Sequence, residues 1–151
     1  MPAGFLKTVT VMDEAVRFHF DVDGEDFTSA GQASVSVKKN LRQLGISPEI
    51  IRKVSIAMYE GEINMVIHAG GGSADVLVYE DRIEICLDDQ GPGIADVEMA
   101  MQEGYSTAPD NIRSLGFGAG MGLPNMKRYT DSMKIDTTLG VGTRILMTVM
   151  L

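Results

Sequence analysis

Three polar side chains set among apolar ones carry the first chemical signal. In Glu60-Gly61-Glu62-Ile63-Asn64-Met65-Val66-Ile67-His68, the residues Glu60, Asn64 and His68 recur every four positions and share one helical face. Such a stripe is usually the solvent side of a helix. Asparagine, however, is a weak former of helix interiors. Its carbonyl is also the hard oxygen that Mg²⁺ accepts, with phosphates and water completing the octahedron. Glu60, one turn earlier, is spaced to orient a water or take a hydroxyl proton. Glu62 is two residues from Asn64 and points elsewhere on the helix, so it is left out of the set.

Three glycine-rich segments follow. In Asp89-Gln90-Gly91-Pro92-Gly93, an Asp at a strand end can accept a hydrogen bond from the exocyclic amine of adenine, and glycines let backbone approach a flat base. The same residues read equally as a turn with helix-capping chemistry. Gly116-Phe117-Gly118-Ala119-Gly120-Met121-Gly122 places alternating glycines before a helix. Successive backbone N–H groups there can cradle an anion, and a flexible loop has the same composition. It is not a Walker A loop, because Leu123-Pro124 stands where Lys-Ser/Thr belongs. Nor is it the dinucleotide fingerprint, which sits after a first strand in a parallel βαβ unit. Gly140-Val141-Gly142-Thr143 alone is a plain hairpin turn.

The elements that must position these residues follow from periodicity. VRFHFDV (16–22) alternates as a strand, and residues 25–44 carry a looser helical pattern that stops at Gly45. Ser47 as N-cap and Pro48 at the first helical position open a second helix, which runs to about His68 and ends at Gly70-Gly71-Gly72. ADVLVY and RIEICLD form a hairpin around Glu80-Asp81. A short helix DVEMAMQEG, an aperiodic polar stretch and a helix LPNMKRYTD come next, then strands SMKIDTTL and TRILMTVML. The order predicts an α+β fold, a two-layer α/β sandwich with a mixed, largely antiparallel sheet and helices on one face. Residues 1–151 read as one domain, without repeat or linker.

Composition narrows the function classes. A formal charge of −8 argues against general nucleic-acid binding, which needs a basic surface, but does not touch ATP, which needs only local donors. No apolar run is long enough for a membrane span, and the N-terminus lacks the pattern of a signal peptide, so a cytoplasmic protein is expected. One cysteine, Cys86, excludes an intrachain disulfide and a multi-cysteine zinc site, and its place in IEICL predicts a buried strand thiol. The 11 methionines are scattered and read as core filler.

Each segment is weak alone, but their order is specific. An E-x-x-x-N helix, a strand ending D-x-G-x-G, a G-x-G-x-G loop before a helix and a G-x-G-T hairpin resemble the GHKL ATPase superfamily with its Bergerat-type ATP pocket. The likeness covers about residues 50–151. EGYSTAPDNIRSLGFGAGMGLPNMKRYTDSMKID is similar to the small bacterial anti-sigma factors and switch-protein serine/threonine kinases. That resemblance implies Asn64 as Mg²⁺ ligand, Glu60 as general base and Asp89 as adenine reader, with Gly91 and Gly93 shaping the pocket and Thr143 supporting the base. It implies Gly118, Gly120 and Gly122 against the phosphates, within an ATP lid from about Tyr105 to Gly122, where Arg113 can reach a phosphate or stay solvated. The activity implied is ATP-dependent phosphorylation of a STAS-type antagonist. The alternative is a nucleotide-dependent switch that sequesters a sigma factor. Many relatives dimerise, so a homodimer is expected. A histidine kinase is a poor match, since that class needs a phosphoaccepting His on a separate helix bundle and only His19 and His68 are present.

Overall fold

Alternation in the strands sends one side chain in two towards the helices. A computed structural model describes residues 15–25, 27, 29–102 and 122–151. The elements are β1 (Val16–Asp23), α1 (Gln32–Gln43), α2 (Pro48–Ala69), β2 (Gly71–Val78), β3 (Arg82–Asp89), α3 (Val97–Ala100), α4 (Gly122–Arg128), β4 (Ser132–Thr138) and β5 (Gly142–Met150). The sheet order is β1-β2-β3-β5-β4. Every pairing is antiparallel, so the mixed character expected of the sheet is not found among the described strands. The connection between β1 and β2 explains this. A single crossover helix makes neighbouring strands parallel, whereas two successive helices, α1 and α2, return the chain to the end it left.

The inward rows, Ala74 and Val76, Ile83, Ile85 and Leu87, and Ile145, Met147 and Val149, meet Val37 and Leu41 of α1 and Ile51, Val54, Met58, Met65 and Val66 of α2. Met58, Met126 and Met147 are fully buried, as the reading of methionine as core filler expects, whereas Met99 and Met150 are exposed. Ser47 caps α2 as expected, its hydroxyl accepting the Ile50 N–H at 3.4 Å, and Gly70 ends the helix at φ 70°. Inside α2, a side chain on Gly61 would overlap Leu87. The glycine therefore lets the helix press against β3, and this contact carries Glu60 and Asn64 to the end of that strand.

The first helix is shorter than its sequence pattern. Gly31, left-handed at φ 99°, breaks the run, and α1 starts at Gln32 with no capping side chain of its own. The cap comes from across the fold. Glu62 is 3% exposed. Its carboxylate accepts the N–H groups of Gly31 at 2.8 Å, Ala33 at 3.2 Å and Ser34 at 3.1 Å. A buried negative charge there meets the unpaired donors and the positive end of the helix dipole together.

The opposite face of the sheet is largely polar, with Leu146 and Met150 exposed among its charged side chains. Cys86 lies on it, paired with Asp75 and Leu146 and only partly covered, so the expected buried thiol is corrected. In IEICL the isoleucines and Leu87 take the inward positions, and strict alternation turns Cys86 outward. The partial burial still pushes its thiol pKa up. On the same face Asp75 accepts from Arg17 Nε at 3.0 Å and contacts His19 Nδ1 at 2.8 Å, while His19 Nε2 reaches Asp21 at 3.1 Å.

Hydrogen bonds to Asp75 and then Asp21 raise the His19 pKa above its ordinary 6.5. Burial pushes Asp75 up, but the bonds from His19 and Arg17 outweigh it and hold the carboxyl below 3.8. The stability that His19 adds is complete below pH 6.5 and is lost as pH rises through its folded value. That of Asp75 is present above 3.8 and is lost as pH falls through its folded value. His68, on the last turn of α2, is displaced the other way by desolvation. A proton NMR titration of the two histidines is expected to give midpoints on opposite sides of 6.5, His19 above and His68 below. A His19 midpoint at or below that of His68 would contradict the bridge to Asp75.

Candidate nucleotide site

The helical spacing holds: Glu60 and Asn64 share a face of α2, and α4 lies along it. Gly122 opens α4 directly against Asn64, where an added Cβ would sit 2.8 Å from Nδ2 and 2.9 Å from Oδ1. One turn on, Asn125 Nδ2 donates to Glu60 Oε1 at 3.3 Å. Met126, fully buried, places its sulfur 4.0 Å from Asn64 Nδ2. Further along, the Arg52 guanidinium stands 5.5 Å from the Tyr129 ring centroid, so the two helices run antiparallel. Sequence reasoning missed Asn125. The signal was the one used for Asn64, an asparagine inside a helix that does not favour it.

Among the described residues, the side-chain Oδ1 of Asn64 accepts no hydrogen bond. No group of three or more His, Cys, Asp or Glu among them could hold a metal. A cation here would therefore rest on one amide oxygen, with phosphate and water supplying the rest. That suits Mg²⁺, which dehydrates reluctantly and usually takes one or two protein ligands. His68 lies one turn past Asn64, at the end of the helix.

At the other end of the site, the Asp89 Oδ1 accepts the Gly91 N–H at 3.0 Å, and among the described residues Oδ2 takes no hydrogen bond. Glycine is required around this carboxylate. A Cβ on Gly91 would lie 2.6 Å from the Ala69 Cβ at the end of α2, and one on Gly93, which holds φ 81°, would lie 2.7 Å from the Thr138 carbonyl oxygen. A Cβ on Gly142 would overlap the Asp89 carbonyl oxygen. Thr143 pairs across from Asp89 in register and is 7% exposed. Its hydroxyl is bonded to Thr137 Oγ1 at 2.9 Å, and Thr137 Oγ1 accepts the Ile94 N–H at 2.9 Å. The two threonines thus tie the turn after β3 to the β4–β5 hairpin. Nothing local in SMKIDTTL distinguishes Thr137, because its role depends on a residue more than forty positions earlier.

Asp89, Gly91, Gly93 and Thr143 form one corner, and Glu60, Asn64 and Gly122 form a second. The C-terminal half of α2 joins the corners, since Met65 and Asp89 both flank Gly72 and Ala69 backs Gly91. Gly118, Gly120, Arg113 and the lid as far as Met121 lie outside the described residues.

Known proteins are similar to this chain in sequence and fold. The sequence profile of the histidine kinase-like ATPase domain matches residues 25–149. An anti-sigma F factor of Clostridium novyi is 36% identical over 121 residues, 76% of this chain and 81% of that protein. The serine/threonine-protein kinase RsbT of Bacillus subtilis is 32% identical over 124 residues, 80% of this chain and 85% of that one. Among solved structures, the RsbU and RsbW domains of Rv1364c from Mycobacterium tuberculosis superpose with a TM-score of 0.60 at 14% identity, over 89% of this chain and 32% of that one. At that identity only the fold is shared. The chain belongs to the histidine kinase-like ATPase family, in the branch of the small anti-sigma factors and switch kinases.

Proposed function

We propose that this protein is an ATP-dependent serine/threonine kinase that acts as a regulatory switch in the cytoplasm by phosphorylating a small STAS-type antagonist. The observation that carries the reading is the docking of α4 on α2. It puts the exit of the glycine loop against Asn64 and a donor on Glu60, the two residues that phosphoryl transfer would need. Such transfer asks little covalent chemistry of the protein beyond positioning and charge stabilisation. Asp89 Oδ2 would accept from the adenine amine, with Gly91 and Gly93 keeping the approach open. The backbone of Gly118, Gly120 and Gly122 would face the phosphates. Asn64 would hold Mg²⁺, which when bound supplies charge neutralisation at the phosphates. Glu60 would receive the proton of the acceptor hydroxyl. The name of one relative, a serine/threonine-protein kinase, supports this reading, and a homodimer, open to a sedimentation test, is part of it.

A second reading has a specific support, the anti-sigma F factor name of the relative at 36% identity. In it the chain sequesters a sigma factor in a nucleotide-dependent way with little transfer. Both readings need ATP, so the first experiment is calorimetry of Mg-ATP binding with ADP, GTP and a chelator as controls. Asp89→Asn replaces an acceptor oxygen with a donor and is expected to weaken ATP by about 2 kcal/mol, roughly thirtyfold. Unchanged affinity would remove Asp89 from the base-reading role. Label passing from γ-labelled ATP to a STAS-type domain supports the kinase. A stable sigma-factor complex without such transfer supports the second reading.

A further inference from the structure

We propose that Asn125 is a positioning residue for Glu60, holding one oxygen of its carboxylate so that the other faces the acceptor hydroxyl; this rests on the kinase reading above. The bond from Asn125 Nδ2 goes to Glu60 Oε1. Among the described residues, Oε2 takes no hydrogen bond. The terminal torsion of a glutamate is broad, so an unheld carboxylate samples many orientations. A donor on a packed helix narrows that range. α4 is packed: Leu123 is 7% exposed and Met126 is fully buried.

The registers also match. Glu60 and Asn64 are one turn apart on α2, and Asn125 and Gly122 are one turn apart on α4. Each α4 residue therefore meets one of the pair, Gly122 at Asn64 and Asn125 at Glu60. The helix that leaves the phosphate loop thereby fixes metal ligand and base relative to each other. In the step it serves, the acceptor O–H proton passes to Glu60 Oε2 while the acceptor oxygen bonds to the γ-phosphorus. The bond from that phosphorus to the bridging oxygen breaks, and ADP leaves with the electron pair. A carboxylate turned away by even an ångström loses this geometry.

The test is single-turnover loss of the γ-phosphate from Mg-ATP by the full chain, with water in place of the partner hydroxyl. It is read beside the Mg-ATP dissociation constant and the melting temperature. Asn125→Ala is expected to slow turnover by roughly 10- to 100-fold with the dissociation constant unchanged. Asn125→Gln, which keeps the donor, is expected to recover part of the rate. Asn125→Asp sets a second carboxylate beside Glu60. The two then share a proton, and the rise of rate with pH is expected to move to higher pH. A merely structural contact would lower the melting temperature of these variants while rate and pH profile stay those of the wild type, which would overturn the proposal. Wild-type turnover undiminished in Asn125→Ala overturns the role of Asn125 alone. A wild-type chain that does not bind Mg-ATP overturns the kinase reading and this inference together, and one that binds Mg-ATP without turning it over overturns this inference alone.

Discussion

Glu60→Ala is expected to bind Mg-ATP as the wild type does and to transfer phosphate about 100- to 10,000-fold more slowly. The separation of binding from chemistry follows from position. Glu60 lies on the α4 side of α2, four residues before Asn64, and the only hydrogen bond that its carboxylate makes to a described residue comes from Asn125. Asp89 and Gly91, which would hold the base, sit at the far end of the helix by Ala69. On the proposed reading, removing the Glu60 carboxylate would leave the nucleotide contacts in place and take away only the proton acceptor. In kinetic terms kcat falls and KM stays, the signature of an interaction made in the transition state. Normal transfer by Glu60→Ala, measured with a STAS-type substrate and γ-labelled ATP, would sink the general-base assignment.

Glu62→Ala, two residues along the same helix, is expected to act on stability instead. The carboxylate accepts three backbone N–H groups at the start of α1, and Glu62 is 3% exposed. Truncation leaves those donors without partner and deletes the charge that faces the helix dipole. The expected cost is about 3 kcal/mol, since charged hydrogen bonds are worth about 1.5–3 kcal/mol each and losses at one cap overlap. For a chain of this length that lowers the melting temperature by roughly 10 °C. Glu62→Gln keeps the shape and one acceptor oxygen, so a smaller loss is expected. Urea unfolding of the three proteins measures the order. Equal midpoints for wild type and alanine variant would show that the carboxylate does not cap α1. Together the two glutamates make a paired control, one silent in unfolding and the other silent in ATP affinity of the folded protein.

These two residues also show where local sequence stops being informative. Helical geometry separates i and i+2, so Glu60 and Glu62 were legible as facing different ways. What Glu62 faces depends on α1, about thirty residues earlier, and on the lack of a capping side chain at Gly31. A residue in a helix interior rarely supplies the N-cap of another helix, so no local rule pairs them. Asn125 and Glu60 are separated by 65 positions and are joined only because α4 packs on α2. Cys86 is a similar case. IEICL reads as buried when hydrophobicity is averaged along it, and only the side of the sheet that the helices cover decides that the isoleucines go inward.

By itself the sequence determined those features whose causes are local or lie in ordered spacing. Ser47-Pro48 and Gly70 set the limits of α2, because capping and left-handed glycine act within a turn. Alternation set the strands, since side chains in an extended chain point to opposite faces. The order of E-x-x-x-N, D-x-G-x-G, G-x-G-x-G and G-x-G-T set the family. Tertiary structure alone decided the wholly antiparallel sheet, the partner of Glu62, the hydroxyl pair of Thr137 and Thr143, and the contact of Asn125 with Glu60. Each of these joins elements distant in the chain, and which elements meet is chosen by burial of apolar faces, a non-directional force summed over the whole molecule.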